Sequence, residues 1–118
     1  MSFVRRKEDR TKTVKEGAQG GSGKLISLKI LDTDGELMGK GRLFNVGTLE
    51  KGDEVGWHIH KGDGECYLML SGEAQYSDNG KMTTIYPGDV TMVYPGEGHS
   101  IKNLKDEPVV FIALILYE

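Results

Sequence analysis

The chain has 118 residues, 37% of them hydrophobic and 28% charged, which is the size and composition of one globular domain. Its formal net charge is −3, and its lone cysteine, Cys66, excludes an intrachain disulfide framework and suits a reducing, cytoplasmic setting. No apolar run approaches the ~18 residues of a membrane-spanning helix and no apolar leader is visible, so neither a membrane nor a secreted location is expected.

The charge is uneven along the chain. Residues 1–15 hold six basic residues against two acidic ones, a net of +4 that leaves −7 on the remainder. An acidic body repels phosphate, so no nucleic-acid partner is expected, and the arm is read as solvated or docked on the body of its own or a neighbouring subunit. Residues 16–23, EGAQGGSG, read as a flexible hinge. This divides the chain into an arm and hinge over 1–23 and a single barrel domain over 24–118.

Beyond the hinge, short strands alternate with turns. Strands are predicted at Leu25–Leu31, Arg42–Thr48, Val55–His60, Glu65–Ser71, Ala74–Ser77, Lys81–Ile85, Val90–Tyr94, His99–Asn103 and Val109–Tyr117. The punctuation is Asp34-Gly35, Lys51-Gly52, Gly62-Asp63-Gly64, Ser71-Gly72, Asn79-Gly80, Pro87-Gly88 and Pro95-Gly96. Asn79-Gly80 suits a tight hairpin because both residues tolerate positive φ. No segment sustains a helical period. Many short strands at close spacing predict an all-β sandwich or barrel.

All three histidines of the chain fall in one ligand-like pattern. His58 and His60 are two apart on a predicted strand and therefore project from one face. The turn Lys61–Gly64 is expected to return Glu65 beside them on the paired strand, and His99 must be brought in by the fold. An isolated H-x-H is more often a pair without metal. The carboxylate at this offset, the flanking glycines and the third histidine point instead to one divalent transition metal, Mn, Fe, Zn or Ni, held by His58, His60, Glu65 and His99. Four protein ligands leave two positions open on an octahedral ion, an arrangement suited to ligand binding or catalysis.

Residues 52–72 and 88–103 together resemble the two motifs of the cupin family. The first, G-x5-H-x-H-x3-4-E-x6-G, is met by Gly52, His58, His60, Glu65 and Gly72. The second is met at Gly88, Gly96, His99 and Asn103, with its proline one place late at Pro95. The resemblance implies a small double-stranded β-helix of jelly-roll type with the metal inside.

Strand phase nominates neighbours of the site. Tyr67 and Met69 share the phase of Glu65 and are expected to face the cavity, and Ile101 shares that of His99 and is expected to form an apolar wall. Tyr67 is the first candidate for proton transfer and Glu97, near the barrel mouth, the second. Asn45 is read as a turn or solvent residue and Arg42 as a surface ion pair. Cys66 is out of phase and is expected to be a small hydrophobe. No cluster of Arg or Lys is expected on the cavity strands.

Trp57, Ile59, Leu68 and Leu70 take the opposite phase and should face outward, and the last strand is apolar on both faces. A homodimer is expected to cover them. The partner otherwise expected is a small molecule. For function, the sequence predicts a metal-dependent enzyme acting on a small oxygenated or carboxylated metabolite, with a dioxygenase, decarboxylase, lyase or isomerase all open. The alternative is a binding or sensor module whose metal only anchors its ligand.

Overall fold

A computed structural model describes residues 1–118, every side chain included except that of Thr33. The strands in chain order are β1 (Lys12–Glu16), β2 (Lys24–Leu31), β3 (Gly41–Leu49), β4 (Glu54–Ile59), β5 (Asp63–Ser71), β6 (Ala74–Asp78), β7 (Lys81–Ile85), β8 (Val90–Val93), β9 (Gly98–Lys102) and β10 (Val109–Tyr117). Helix is confined, among the described residues, to α1 (Thr33–Glu36) and single 3-10 turns at Lys7–Asp9 and Ala18–Gly20. The strands make two antiparallel sheets that face each other as a jelly-roll barrel. One is ordered β1-β2-β3-β10-β5-β8 and the other β4-β9-β6-β7.

Every strand expected from the sequence forms, with ends displaced by at most two residues. β1 was not anticipated. Its five residues, KTVKE, are all exposed and carry no clean apolar alternation. It nevertheless pairs along its whole length with β2, from Lys12 opposite Leu28 to Glu16 opposite Lys24, and forms the edge of the large sheet. Arg5 fastens the segment before it through paired hydrogen bonds of 2.9 and 2.7 Å to the Glu36 carboxylate.

Local chemistry explains several joints. Asn79 and Gly80 adopt φ of 52° and 100° and close the two-residue β6–β7 hairpin, with Asp78 opposite Lys81. The fully buried Asn103 fixes the loop after β9. Its amide donates to the Leu49 and Glu107 carbonyls at 2.9 Å, and its Oδ1 accepts the Lys105 N–H at 2.8 Å. The turn at Ala18–Gly20 lies directly on β4. A Cβ on Gly56 would strike the carbonyl oxygen of Gln19, so only glycine permits that approach.

Tyr76, Phe111, Met69 and Ile101 lead a core packed between the sheets, each at most 2% exposed. The outer face of the large sheet is apolar as well. One row crosses five strands as Leu28, Val46, Ile112, Leu68 and Val90, and the next contains Phe44, Leu114, Cys66 and Met92. Trp57 and Ile59 are also about half exposed, but they belong to β4, in the other sheet. The four outward residues read together from the sequence therefore lie on two different surfaces.

Candidate metal centre

His58 stands directly opposite His99 in the β4–β9 pair, and His60 follows the end of β4. Glu65 arrives from the other wall. β4 pairs with β9, whereas β5 pairs with β10 and β8, so the expectation that Glu65 lies on a strand paired with β4 is corrected. The Lys61-Gly62 connection, with Gly62 at φ 74°, passes the chain from one sheet to the other. Facing sheets lie about 10 Å apart, a gap that side chains from both walls close together.

The four side chains converge. The Nε2 atoms of His58 and His60 each lie 3.2 Å from that of His99. Glu65 Oε1 is 3.1 Å from His99 Nε2, 3.2 Å from His60 Nε2 and 3.9 Å from His58 Nε2. All four donor atoms fall within 4.8 Å of one another, and His99, His60 and Glu65 are buried.

The opposite edges of the imidazoles are committed elsewhere. His58 Nδ1 donates to the Gly56 carbonyl at 2.7 Å, and His60 Nδ1 donates to Asp63 Oδ1 at 2.7 Å. His99 Nδ1 meets the Tyr76 hydroxyl at 2.9 Å. With the proton on Nδ1, each Nε2 presents a lone pair to the centre, where the only other group is a carboxylate. Four electron-pair donors at these separations repel unless a cation lies among them. Ligands about 2.1 Å from one ion stand about 3.0–3.4 Å apart in octahedral or tetrahedral sites, close to the distances found. The residues present fit a divalent transition metal.

The electrostatics agree. Burial alone would push the Glu65 carboxyl up, but imidazoles of His58, His60 and His99 that carry an Nε2 proton outweigh it and hold the group well below the ordinary carboxylate range; a bound metal ion would take the place of those protons. His60 is pushed up by its Glu65 hydrogen bond against the opposing effect of burial, with Asp63 adding to the rise. His99 is pushed down by burial, which Glu65 only partly offsets.

Two supporting residues were not identified in the sequence. Asp63 was read only as part of a turn, although its spacing of three from His60 was a usable signal. It is opposed by its own burial but held ionised by Arg42, whose Nε donates to Oδ2 at 2.8 Å, and by His60. The ion pair expected of Arg42 is thus the one that orients His60. Tyr76 comes from the β6–β7 hairpin, and nothing local in the sequence links it to His99. Burial lifts its phenol to about 12, so it stays neutral.

A cavity of about 360 Å³ opens beside His58, His60 and Glu65. Tyr67 lines it, 2% exposed and stacked on His99 at 4.9 Å between ring centroids. Burial and the nearby Glu65 charge push its phenol well up, so it remains a proton donor. Asn45 is buried and lines the cavity, against its expected turn or solvent role. Met69 and Ile101 do not line it. They are spent in the core packed with Tyr76 and Phe111. Glu97 does not line it either, and its carboxylate accepts the Tyr94 N–H at 2.9 Å. Cys66 faces the outside of the sheet, half-buried, as its phase required. The expectation of no basic cluster is corrected, because Lys15, Lys29 and Arg42 all line the cavity. Lys15 escaped notice because β1 itself did.

The chain's similarity to known proteins follows this geometry. A cupin-domain family model matches residues 45–115, a span that contains all four converging ligands. An oxalate-binding protein of Thermotoga maritima is 38% identical over 98 residues, covering 83% of this chain and 80% of that one. A crystal structure from the same organism, described as a predicted oxalate decarboxylase, superposes with a TM-score of 0.92 at 34% identity, covering 98% of this chain and 100% of that one. A Klebsiella pneumoniae protein with a double-stranded β-helix domain superposes with a TM-score of 0.71 at 23% identity, covering 99% and 91%, a likeness of fold alone. Motifs, barrel and family match agree, and this chain belongs to the cupin domain family.

Proposed function

We propose that this chain binds one divalent transition metal through His58, His60, Glu65 and His99 and takes a small carboxylate, with oxalate the first to test, directly at that centre. The observation that carries the reading is the convergence of three imidazole Nε2 atoms and one carboxylate beside a cavity, each Nδ1 being held by a partner on its outer side. The likeness to an oxalate-binding relative supports the ligand class. When bound, such an ion supplies Lewis acidity toward ligand oxygens.

The chain's own residues supply the surroundings. Gly56, Asp63 and Tyr76 hold the ring orientations, and the Gly56 carbonyl and Asp63 carboxylate also set the tautomers of His58 and His60. Leu25, Val55 and Phe111 give the cavity apolar walls that exclude water and strengthen polar contacts within it. Tyr67 keeps its proton and presents a donor to a ligand atom.

Binding and turnover remain two readings of this site, and one observation favours binding. Glu65 is the only carboxylate among the described cavity residues, and it faces the imidazoles. Turnover would rest on Tyr67 for its proton. The deciding experiment loads the protein in turn with Mn, Fe, Ni and Zn, titrates oxalate by calorimetry, and follows ¹³C-oxalate by NMR with and without dioxygen. Stoichiometric binding with intact recovery supports the binding module. Conversion that Tyr67→Phe abolishes while affinity stays within about threefold supports an enzyme. Fully loaded protein that neither binds nor converts oxalate overturns the ligand class, and protein that takes up no metal overturns the whole reading.

A further inference from the structure

The cavity is too large and too cationic for oxalate alone. Oxalate is two joined carboxyl groups, and a cavity of about 360 Å³ leaves space beyond it. Among the described residues, Glu65, already engaged by the histidines, is the only acidic side chain on the cavity wall, against three cations: Lys15, Lys29 and Arg42.

The sheet register places Lys29 away from the ligand cluster, whereas Arg42 stands between them, on Asp63 beside His60. One inward row runs Lys29, Asn45, Ala113, Tyr67 across β2, β3, β10 and β5. At about 4.8 Å per strand, the Lys29 backbone is about 14 Å from that of Tyr67, the residue stacked on His99. Lys15 lies on the next strand, β1, opposite Leu25 and so four residues along β2 from Lys29. Lys29, Arg42 and Asn45 also share an adjoining hollow of about 140 Å³, so these three stand together. Asp34 lines that hollow but not the main cavity.

The cations keep capacity for a ligand. Lys29 Nζ is 3.2 Å from Asp32, and Arg42 meets Asp63 through Nε, which leaves its terminal nitrogens for another acceptor. No carboxylate pairs with Lys15 among the described residues. Asn45 and Ala113 lie between Lys29 and Tyr67 in that row, and Leu25, Leu43 and Phe111 add apolar wall to the cavity.

We infer that the ligand of this cavity has two anionic ends. One is a carboxylate with an α-oxygen, taken at the His58, His60, Glu65 and His99 cluster; the other is a second anionic group held by Lys15, Lys29 and Arg42. The carbon spacer between them lies along the apolar wall. This inference rests on the metal-and-carboxylate reading above. It gives β1 a task, because that strand carries Lys15 into the cavity wall.

The test is calorimetry on the Ni-loaded protein with four probes: oxalate, 2-hydroxyglutarate, 2-hydroxypentanoate and 3-phosphoglycerate. The first hydroxy acid differs from the second by its far carboxylate, and the last offers a phosphate there instead. The wild type is expected to bind 2-hydroxyglutarate at least about tenfold more tightly than 2-hydroxypentanoate, the effect of a charge-assisted contact. Lys15→Met with Lys29→Met should erase that preference while leaving metal content unchanged and oxalate affinity within about twofold. Lys15→Met alone, at an exposed strand position, should lose part of it without any risk to folding. If 3-phosphoglycerate binds tighter than 2-hydroxyglutarate and suffers the same loss in the variants, the far group is a phosphate. Equal binding of the two five-carbon acids by the wild type, or a preference that survives in the double variant, overturns the inference. Failure to bind metal or oxalate is a separate result and overturns the reading beneath it.

Discussion

His58 and His99 face each other across the β4–β9 pair with their Nε2 atoms 3.2 Å apart. Two bare imidazole nitrogens at that distance repel, and His60 and Glu65 add two more electron-pair donors to the same space. The pair is therefore expected to need an ion. Protein purified from metal-supplemented medium should carry close to one divalent metal per chain by mass spectrometry of the elements. His99→Ala should lower affinity by about 100-fold or more, as should His58→Ala. Wild-type metal content in the double variant would refute the ligand assignment.

Asp63 tests the support of the site rather than its ligands. It accepts from His60 Nδ1 at 2.7 Å and from Arg42 Nε at 2.8 Å. Asp63→Asn removes the charge that fixes the His60 tautomer and should weaken metal binding by about 10- to 100-fold while leaving the fold intact. A chelator competition assay reads this directly. An unchanged affinity would mean that His60 is oriented by its strand alone.

Metal affinity should rise with pH. Glu65 lifts His60 above the ordinary imidazole value of ~6.5, so metal-free protein keeps the His60 proton to a higher pH than a free histidine does. Metal binding expels that proton. Apparent affinity should fall by about one decade per pH unit below the raised value and level off above it. Competition titrations from pH 5.5 to 8.5 measure the profile, and a flat line across this range would show that no histidine proton is displaced.

The apolar row Leu28, Val46, Ile112, Leu68 and Val90 lies on the outer face of the large sheet. A contiguous apolar sheet face is unfavourable in water, and a second copy of the chain is its expected cover. Light scattering should give about twice the 13.0 kDa chain mass at micromolar concentration. Ile112→Lys, at the centre of the row, should yield monomers. A wild-type mass of one chain would refute the homodimer.

Asn103 belongs to the second cupin motif yet touches no ligand of the site. Its three hydrogen bonds close the loop between β9 and β10. Asn103→Ala leaves the buried Leu49 carbonyl and two part-buried backbone groups without their partner and should cost about 1–3 kcal/mol in urea unfolding. Metal content per chain should not change. Loss of metal without loss of stability would contradict this structural role.

The sequence by itself determined the strands from Leu25 onward, the Asn79-Gly80 hairpin and the identity of the four converging ligands. These follow from short-range rules: side chains alternate along a strand, Gly and Asn accept positive φ, and imidazoles and a carboxylate at fixed spacing have few common uses. Only the tertiary structure decided that Glu65 reaches His58 and His60 from the opposite sheet, because strand pairing is a long-range choice that local spacing does not encode. The same holds for Tyr76 behind His99, for Met69 and Ile101 in the core rather than on the cavity, and for Glu97 outside it. β1 is the clearest case. Its five exposed residues, three of them charged, gave no periodic signal, since an edge strand without an apolar face is held by backbone hydrogen bonds to β2, and every non-proline residue can make those. Its place on that edge turned a basic arm into the wall that carries Lys15.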